Sequence, residues 1–273
     1  MFQIGHDNFH LDFNIRKNGI CFSNLAHKFC SYTTNTTNQS ADIKLSLPAG
    51  KKITIYWGDG TSTVITGEVY KVIYSHIYTD VKTYNLTVTG DYNDITYLRF
   101  NGDGSYGGDI KYMPSGLKHF DRFDANTFCG NIQYIPAGMD YFVCYGSNTF
   151  NGDIQTLTSE LNLFVCGGRN TLIGDLAVFA DSVSYLKILG DNTISEYSGC
   201  TWTHNFTKFQ IEPVAPGGLS SAEIDQLLID LDNDLDWSGG GIIYLTGTNA
   251  PRTSASDDAV SNIEAEGGTI FTN

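Results

Sequence analysis

Basic residues are scarce in this chain: 16 Lys and Arg stand against 30 Asp and Glu in 273 residues, a formal net charge of -14 at pH 7. Phosphate contacts need a concentration of Lys and Arg that is missing here, so nucleic acid is not expected as a partner and adsorption to anionic membranes is disfavoured. Long apolar runs are missing too. No segment approaches the roughly 20 residues that cross a bilayer, so no membrane insertion is expected. Met1 to Phe13 alternates polar and apolar residues and carries His6, Asp7, His10 and Asp12. A secretory leader would need basic residues and then an unbroken apolar run, so no cleavable export signal is expected. Cysteine is thinly spread, with six residues, no CxxC and no framework spacing, and all six are expected as structural thiols.

Catalytic constellations are equally absent. The six His have no partners at motif spacing, so no Ser/His/Asp or Cys/His set can be assembled. His6 and His10 have the spacing of a metal pair on a helix, but the alternation around them favours a strand, on which they lie too far apart. The acidic run Asp230–Asp236 fails as a calcium loop, because Leu235 stands where the turn needs Gly and Gly241 where a bidentate Glu is needed; it is expected as an acidic helix face. Gly58-Asp59-Gly60 and Gly102-Asp103-Gly104 read as tight turns rather than phosphate cradles. No catalytic residue, metal or cofactor is expected, and the chain is not read as an enzyme.

What the chain does have is a phrase repeated every 22 residues: Gly108-Asp109-Ile110, Gly130-Asn131-Ile132, Gly152-Asp153-Ile154 and Gly174-Asp175-Leu176. A second phrase keeps the same interval, in Asn126-Thr127-Phe128, Asn148-Thr149-Phe150, Asn170-Thr171-Leu172 and Asn192-Thr193-Ile194. A fixed period in this range implies stacked units with function on a surface rather than in an enclosed pocket. The hydrophobic frame follows the period as well, from Ile95-x-x-Leu98-x-Phe100 through Leu117, Met139 and Leu161 to Val183-x-x-Leu186-x-Ile188. Cys144 and Cys166 hold equivalent places and are expected to stack on adjacent rungs. Arg122 is a charged residue at a core position of this frame.

The fold class expected is mainly β, in four parts. Residues 1–40 read as an N-terminal arm or docking segment, ending in the polar tract Tyr32–Ser40. Residues 41–91 alternate apolar and polar in short runs (Ile43–Leu47, Ile53–Trp57, Val69–Tyr74, Tyr84–Thr89), the pattern of a small β-sandwich. Residues 92–212 carry the repeats. Residues 213–273 read as a helix-containing repeat and cap. Helix signals lie at Ser220 or Ser221 with Glu223, then Ile224, Leu227, Leu228 and Leu231, and a second helix opens at Ser256.

Two resemblances follow from these residues. Tyr56-Trp57-Gly58-Asp59-Gly60-Thr61, then His76-Ile77-Tyr78 and Tyr84-Asn85-Leu86-Thr87-Val88, resembles the PKD domain family, which implies a non-catalytic sandwich used as spacer or adhesion module. The repeat frame resembles leucine-rich repeats, which implies short parallel strands with Asn126, Asn148, Asn170 and Asn192 forming a structural ladder. A buried bend needs a side chain that both donates and accepts. With the Arg252–Asp257 ending, residues 41–273 resemble proteins of gut bacteria and their bacteriophages.

Side chains alternate across a strand, so the positions between core residues should line an outward, concave sheet. They are Tyr97, Arg99 and Asn101; His119, Asp121 and Phe123; Tyr141, Val143 and Tyr145; Leu163, Val165 and Gly167; and Tyr185, Lys187 and Leu189. A face this aromatic and aliphatic is expected to bind a partner or to be covered within an assembly. The resemblance implies a phage virion protein, a fibre, tail or capsid-decorating subunit made in the host cytoplasm. Its partners would be other virion proteins or a host cell-surface protein or glycan, and the chain is expected as a homo-oligomer or part of a larger assembly. The other reading is an exported bacterial surface adhesin or glycan-binding protein.

Overall fold

The computed structural model describes residues 15–16, 19–20, 26–122, 126–158, 160–192, 194–214 and 216–273. The fold is mainly β. Ile15–Arg16 (β1) and Gly19–Ile20 (β2) make a small antiparallel pair. Then come His27–Thr33 (β3), Gln39–Leu47 (β4), Lys52–Tyr56 (β5), Ser62–Thr66 (β6), Val69–Tyr78 (β7) and Thr83–Gly90 (β8), all paired antiparallel. The rest are Tyr97–Gly102 (β9), Ser105–Asp109 (β10), His119–Arg122 (β11), Asn126–Asn131 (β12), Tyr141–Asp153 (β13), Leu163–Gly168 (β14), Thr171–Ile173 (β15), Tyr185–Gly190 (β16), Lys208–Pro213 (β17), Gly241–Leu245 (β18) and Gly268–Thr272 (β19). The helices are Ser221–Asp234 (α1) and Asp257–Glu266 (α2).

These strands form two facing sheets, and neither closes into a barrel. The front sheet runs β7-β4-β9-β11-β13-β14-β16-β17-β18-β19, ten strands in all. The back sheet runs β6-β5-β8-β3-β10-β12-β13-β15. β13 is long enough to serve both. The antiparallel end passes into the parallel end without a break in either sheet, through β4–β9 in front and β3–β10 behind. β3 lies inside the segment read from sequence as an arm; its Phe29, Cys30 and Tyr32 are core residues. His6 and His10 lie outside the described residues.

Parallel register follows the repeat. In the front sheet Tyr97 faces His119, which faces Tyr141, each 22 residues on. Equivalent core side chains therefore stack on their own copies: the rings of Phe120 and Phe142 lie 5.5 Å apart, and those of Phe142 and Phe164 5.6 Å. Such pairs add to the burial energy of each ring. Cys144 and Cys166 are likewise adjacent, buried and free.

Both repeated phrases have structural explanations. The side chains of Asp109, Asn131, Asp153 and Asp175 each accept from the backbone N–H two residues on, capping a short 3-10 turn. The Ile or Leu that follows is buried. Gly152 and Gly174 have φ of 117° and 114°, and a Cβ there would strike the capping Asn131 or Asp153 oxygen at 2.4 or 2.3 Å. The ladder Asn residues reach back one unit: Asn148, Asn170 and Asn192 accept from the N–H of Phe128, Phe150 and Leu172 at 3.0, 2.9 and 3.2 Å. Asn148 and Asn192 also donate to strand carbonyls, and Asn126 donates to Tyr145 O. Asn249 repeats the arrangement in the cap, accepting from Leu219 N–H at 2.9 Å.

The first unit has Gly104 in place of Asn, and the reason is steric. A Cβ there would lie 2.5 Å from Thr33 O and 2.6 Å from the Tyr32 ring of β3. Other groups satisfy the bend: the Tyr32 hydroxyl accepts from Gly104 N–H at 2.8 Å and donates to Ser40 O, and the Arg122 guanidinium donates to Phe100 O and Gly104 O. Arg122 also lies over the Tyr106 ring, 5.2 Å from its centroid. Two carbonyls and a π face thus help to hold this buried charge at a core position.

The C-terminal region packs α1 and α2 against β17–β19. Ser220 and Glu223 form a reciprocal capping box at the start of α1. The acids of α1 serve as hydrogen-bond acceptors: Asp230 takes the Tyr197 hydroxyl, Asp234 the Trp202 N–H and Asp232 the Asn262 amide. Asp225, buried, accepts from Thr253 N–H, Thr253 Oγ1 and Ser256 Oγ, which ties the Arg252–Asp257 ending to the helix. Ser256 therefore spends its hydroxyl on Asp225 rather than on capping α2.

Candidate binding face

The outward side of the front sheet is built from rows that run across the strands. The first is Tyr97, His119, Tyr141, Leu163, Tyr185 and Lys208, continuing to Ile242 and Thr269. The second is Arg99, Asp121, Val143, Val165, Lys187 and Gln210, continuing to Tyr244 and Phe271. The third holds Asn101, Tyr145, Gly167, Leu189 and Glu212. β4 extends them with Ser46, Lys44 and Asp42 opposite Tyr97, Arg99 and Asn101.

In-register stacking uses up the ring faces. His119 lies between Tyr97 and Tyr141, with centroids 4.4 and 4.0 Å away and planes within 18°. Lys71, from β7, covers the far side of this stack, its Nζ 5.0 Å from the Tyr97 centroid. Tyr145 lies across Gly167, where a Cβ would meet its Cδ1 at 3.0 Å, and Lys187 Nζ sits 5.1 Å from its centroid. Tyr244 is held between Lys208 and Phe271. At Tyr97, His119, Tyr145 and Tyr244 a partner therefore meets ring edges, hydroxyls and ammonium groups, while Phe271, stacked on one side, is 43 % exposed.

The middle row is deeply set. Val143 and Val165 are each 2 % exposed, set between the rows that carry the tyrosines. Val143, expected as a contact residue, therefore supports the face. Asp121 is also buried; Arg99 Nη1 lies 3.4 Å and His119 Nε2 3.9 Å from its Oδ2, while its Oδ1 has no hydrogen-bond partner among the described residues. Farther along the row Gln210 donates to Glu212, and its Oε1 likewise has none. Buried acceptors of this kind cost free energy until a donor arrives.

Electrostatically the face differs from the chain. Along the rows and their β4 and β7 extension, Lys44, Lys71, Arg99, Lys187 and Lys208 outnumber Asp42, Asp121 and Glu212, whereas the whole chain carries -14. Burial, and then the nearby Lys187 charge, lower the pKa of Lys208 against the opposing pull of Glu212. Burial raises the Tyr141 hydroxyl, with the Asp121 charge adding to it, and raises Tyr145 and Tyr185 as well.

Of the residues picked from sequence, Tyr97, Arg99, His119, Asp121 and Tyr141 meet in one cluster, and Tyr145 meets Lys187 beside it. Tyr185 and Lys187 lie two strands beyond β13, and Phe123 lies outside the described residues. Lys44 and Lys71 were missed because they belong to the antiparallel strands. Gln210, Tyr244 and Phe271 were missed although their strands were recognised; carrying the outward alternation into β17–β19 would have found them.

The residues that carry the Trp-Gly-Asp-Gly motif are spent on each other. His76 stacks on Trp57 and bonds Asp59 at 2.7 Å, Thr61 donates to Asp59, and the Tyr78 hydroxyl donates to Trp57 O. No helix among the described residues is long and apolar enough to cross a membrane. No protein-family model, curated protein or solved structure matches the chain.

Proposed function

We propose that this chain is a non-catalytic binding or assembly subunit that engages its partner through the outward side of the front sheet. The observation that carries the reading is that side itself: a ten-strand surface, cation-rich in an acidic chain, with buried acceptors at Asp121 and Gln210 awaiting donors. More finely, the chain is a PKD-like sandwich fused to a leucine-rich-repeat-like solenoid, working as a fibre, tail or capsid-decorating subunit of a phage virion. That finer reading rests on the sequence resemblance of residues 41–273.

The second reading is an exported bacterial surface adhesin or glycan-binding protein. The unpaired acceptors favour it, since sugar hydroxyls are donors of the required kind. Against it, the ring planes that would stack on a sugar are covered. Binding of purified protein to bacterial cells, a glycan array and co-expressed virion proteins is compared for wild type, Tyr141→Ala and Tyr145→Ala. The virion reading expects the variants to lose association with virion proteins and wild type to be silent on glycans. Glycan binding lost in both variants would replace it with the second reading.

A further inference from the structure

The strand with the most exposed apolar surface is not on the proposed binding rows but at the sheet edge. Among the described residues β7 pairs on one side only, with β4. Along it Tyr70, Val72, Ile73 and Ile77 are 76, 40, 52 and 62 % exposed. An open edge presents a row of unpaired backbone donors and acceptors that another strand can satisfy. At its start the edge is blunted: Lys71 has φ 52° and gives its N–H to the Ser46 hydroxyl, where the pairing with β4 shifts register. Past this kink, Val72–Tyr78 continues as strand, with no second strand beside it among the described residues.

We infer that β7 pairs antiparallel with β7 of a second copy, forming a two-fold dimer through the front-sheet edge. Symmetry and the pleat select the register. With the axis through Ser75, Ile73 of each copy stands beside Ile77 of the other on the outward side, so the two exposed isoleucines cover each other reciprocally. Charge selects the partner. In a chain of net charge -14, most surface contacts between copies set acid against acid, but β7 contains no Asp or Glu. Its one lysine, Lys71, lies about 25 Å from its counterpart in this register.

A single strand pair buries less than the roughly 1,600 Å² of a standard interface, so the dimer is weak and concentration-dependent, with Kd of about 10 µM. The axis is perpendicular to the sheet, so both front faces point the same way. That pairing of faces bears on function only if the front face binds; the dimer itself does not depend on it.

The test is sedimentation velocity on the full chain from about 1 to 100 µM, a range that brackets the expected Kd. Wild type should pass from monomer to dimer. Ile77→Lys, a change on the exposed side, should weaken dimerisation at least tenfold with an unchanged circular dichroism spectrum, and Ile73→Lys should do the same. Ser75→Cys, placed on the axis, should give a disulfide-linked dimer under mild oxidation that wild type does not. Tyr141→Ala should dimerise normally, which separates this result from failure of the binding reading. A wild type that stays monomeric throughout, or a dimer indifferent to both lysine variants, overturns the proposal.

Discussion

The antiparallel end of the molecule and its repeating middle share two sheets yet treat apolar surface differently. Among the described residues, seven exposed large hydrophobics lie between Tyr56 and Val81, and two, Tyr134 and Ile173, from β9 to β16. In the middle, every outward side chain stands beside its own counterpart one unit away, so rings stack and rows close over one another. At the antiparallel end no side chain has a copy beside it. Polar support differs too. The middle uses the same Asn bond again and again, whereas the aperiodic parts rely on single groups such as Tyr32, the Trp57–His76–Asp59 knot and Asp225.

Substitutions at five positions probe this contrast. Phe142→Ala should be the most damaging: it opens a cavity in the stack between Phe120 and Phe164 and should cost about 4 kcal/mol in urea denaturation, whereas Ile77→Ala on the β7 edge should cost under about 0.5. Comparable losses for the two would mean that the stacks add nothing. Asp225→Ala comes next, at about 3 kcal/mol, because it strands three donors on Thr253 and Ser256. Burial raises the Asp225 pKa, but the bonds from Ser256 and Thr253 outweigh it and the folded value is lowered. Its stabilisation is therefore full above the usual carboxylate range near about 4 and fades as pH falls below it. Asp225→Asn should flatten the fall in urea midpoint between neutral and acid pH; an unchanged slope would remove Asp225 from that role.

Asn148→Ala should cost about 2 kcal/mol, leaving Phe128 N–H unpaired inside the stack. Amide exchange would show whether the loss stays within neighbouring units, as the periodic support requires. Tyr32→Phe should cost least, about 1 kcal/mol, since one hydroxyl is removed and Arg122 still holds Gly104 O. A larger loss for Tyr32→Phe than for Asn148→Ala would reverse the comparison.

Much of this was legible in sequence wherever physics repeats. The 22-residue interval carried the strand register, the core stacks and the outward rows, because parallel pairing places equal positions side by side. The start of α1 was legible from Ser220 and Glu223, a local interaction. β3 was not, since its place depends on β8 and β10, which are far away in the chain, and its polar end resembles a linker. Arg122 looked anomalous because the groups it serves, Gly104 and Phe100, belong to the preceding unit. On the candidate face the residue types were visible, but not that Val143 would be closed over or that Lys44 and Lys71 would arrive from the antiparallel end.

The register of the two sheets has a last consequence. In front, successive strands from β9 to β16 pair 22 residues apart; behind, from β10 to β15, the pairing is 20, as Tyr106 with Asn126 and Asn151 with Thr171. Equivalent residues thus stay level in front and drift by two positions, about 6.6 Å, per unit behind. Duplicating a unit would lengthen the front by one strand spacing of about 4.8 Å and keep every row aligned, while the back absorbs the shear. The front works as a ruler whose length can evolve in fixed steps without redesign of what it displays.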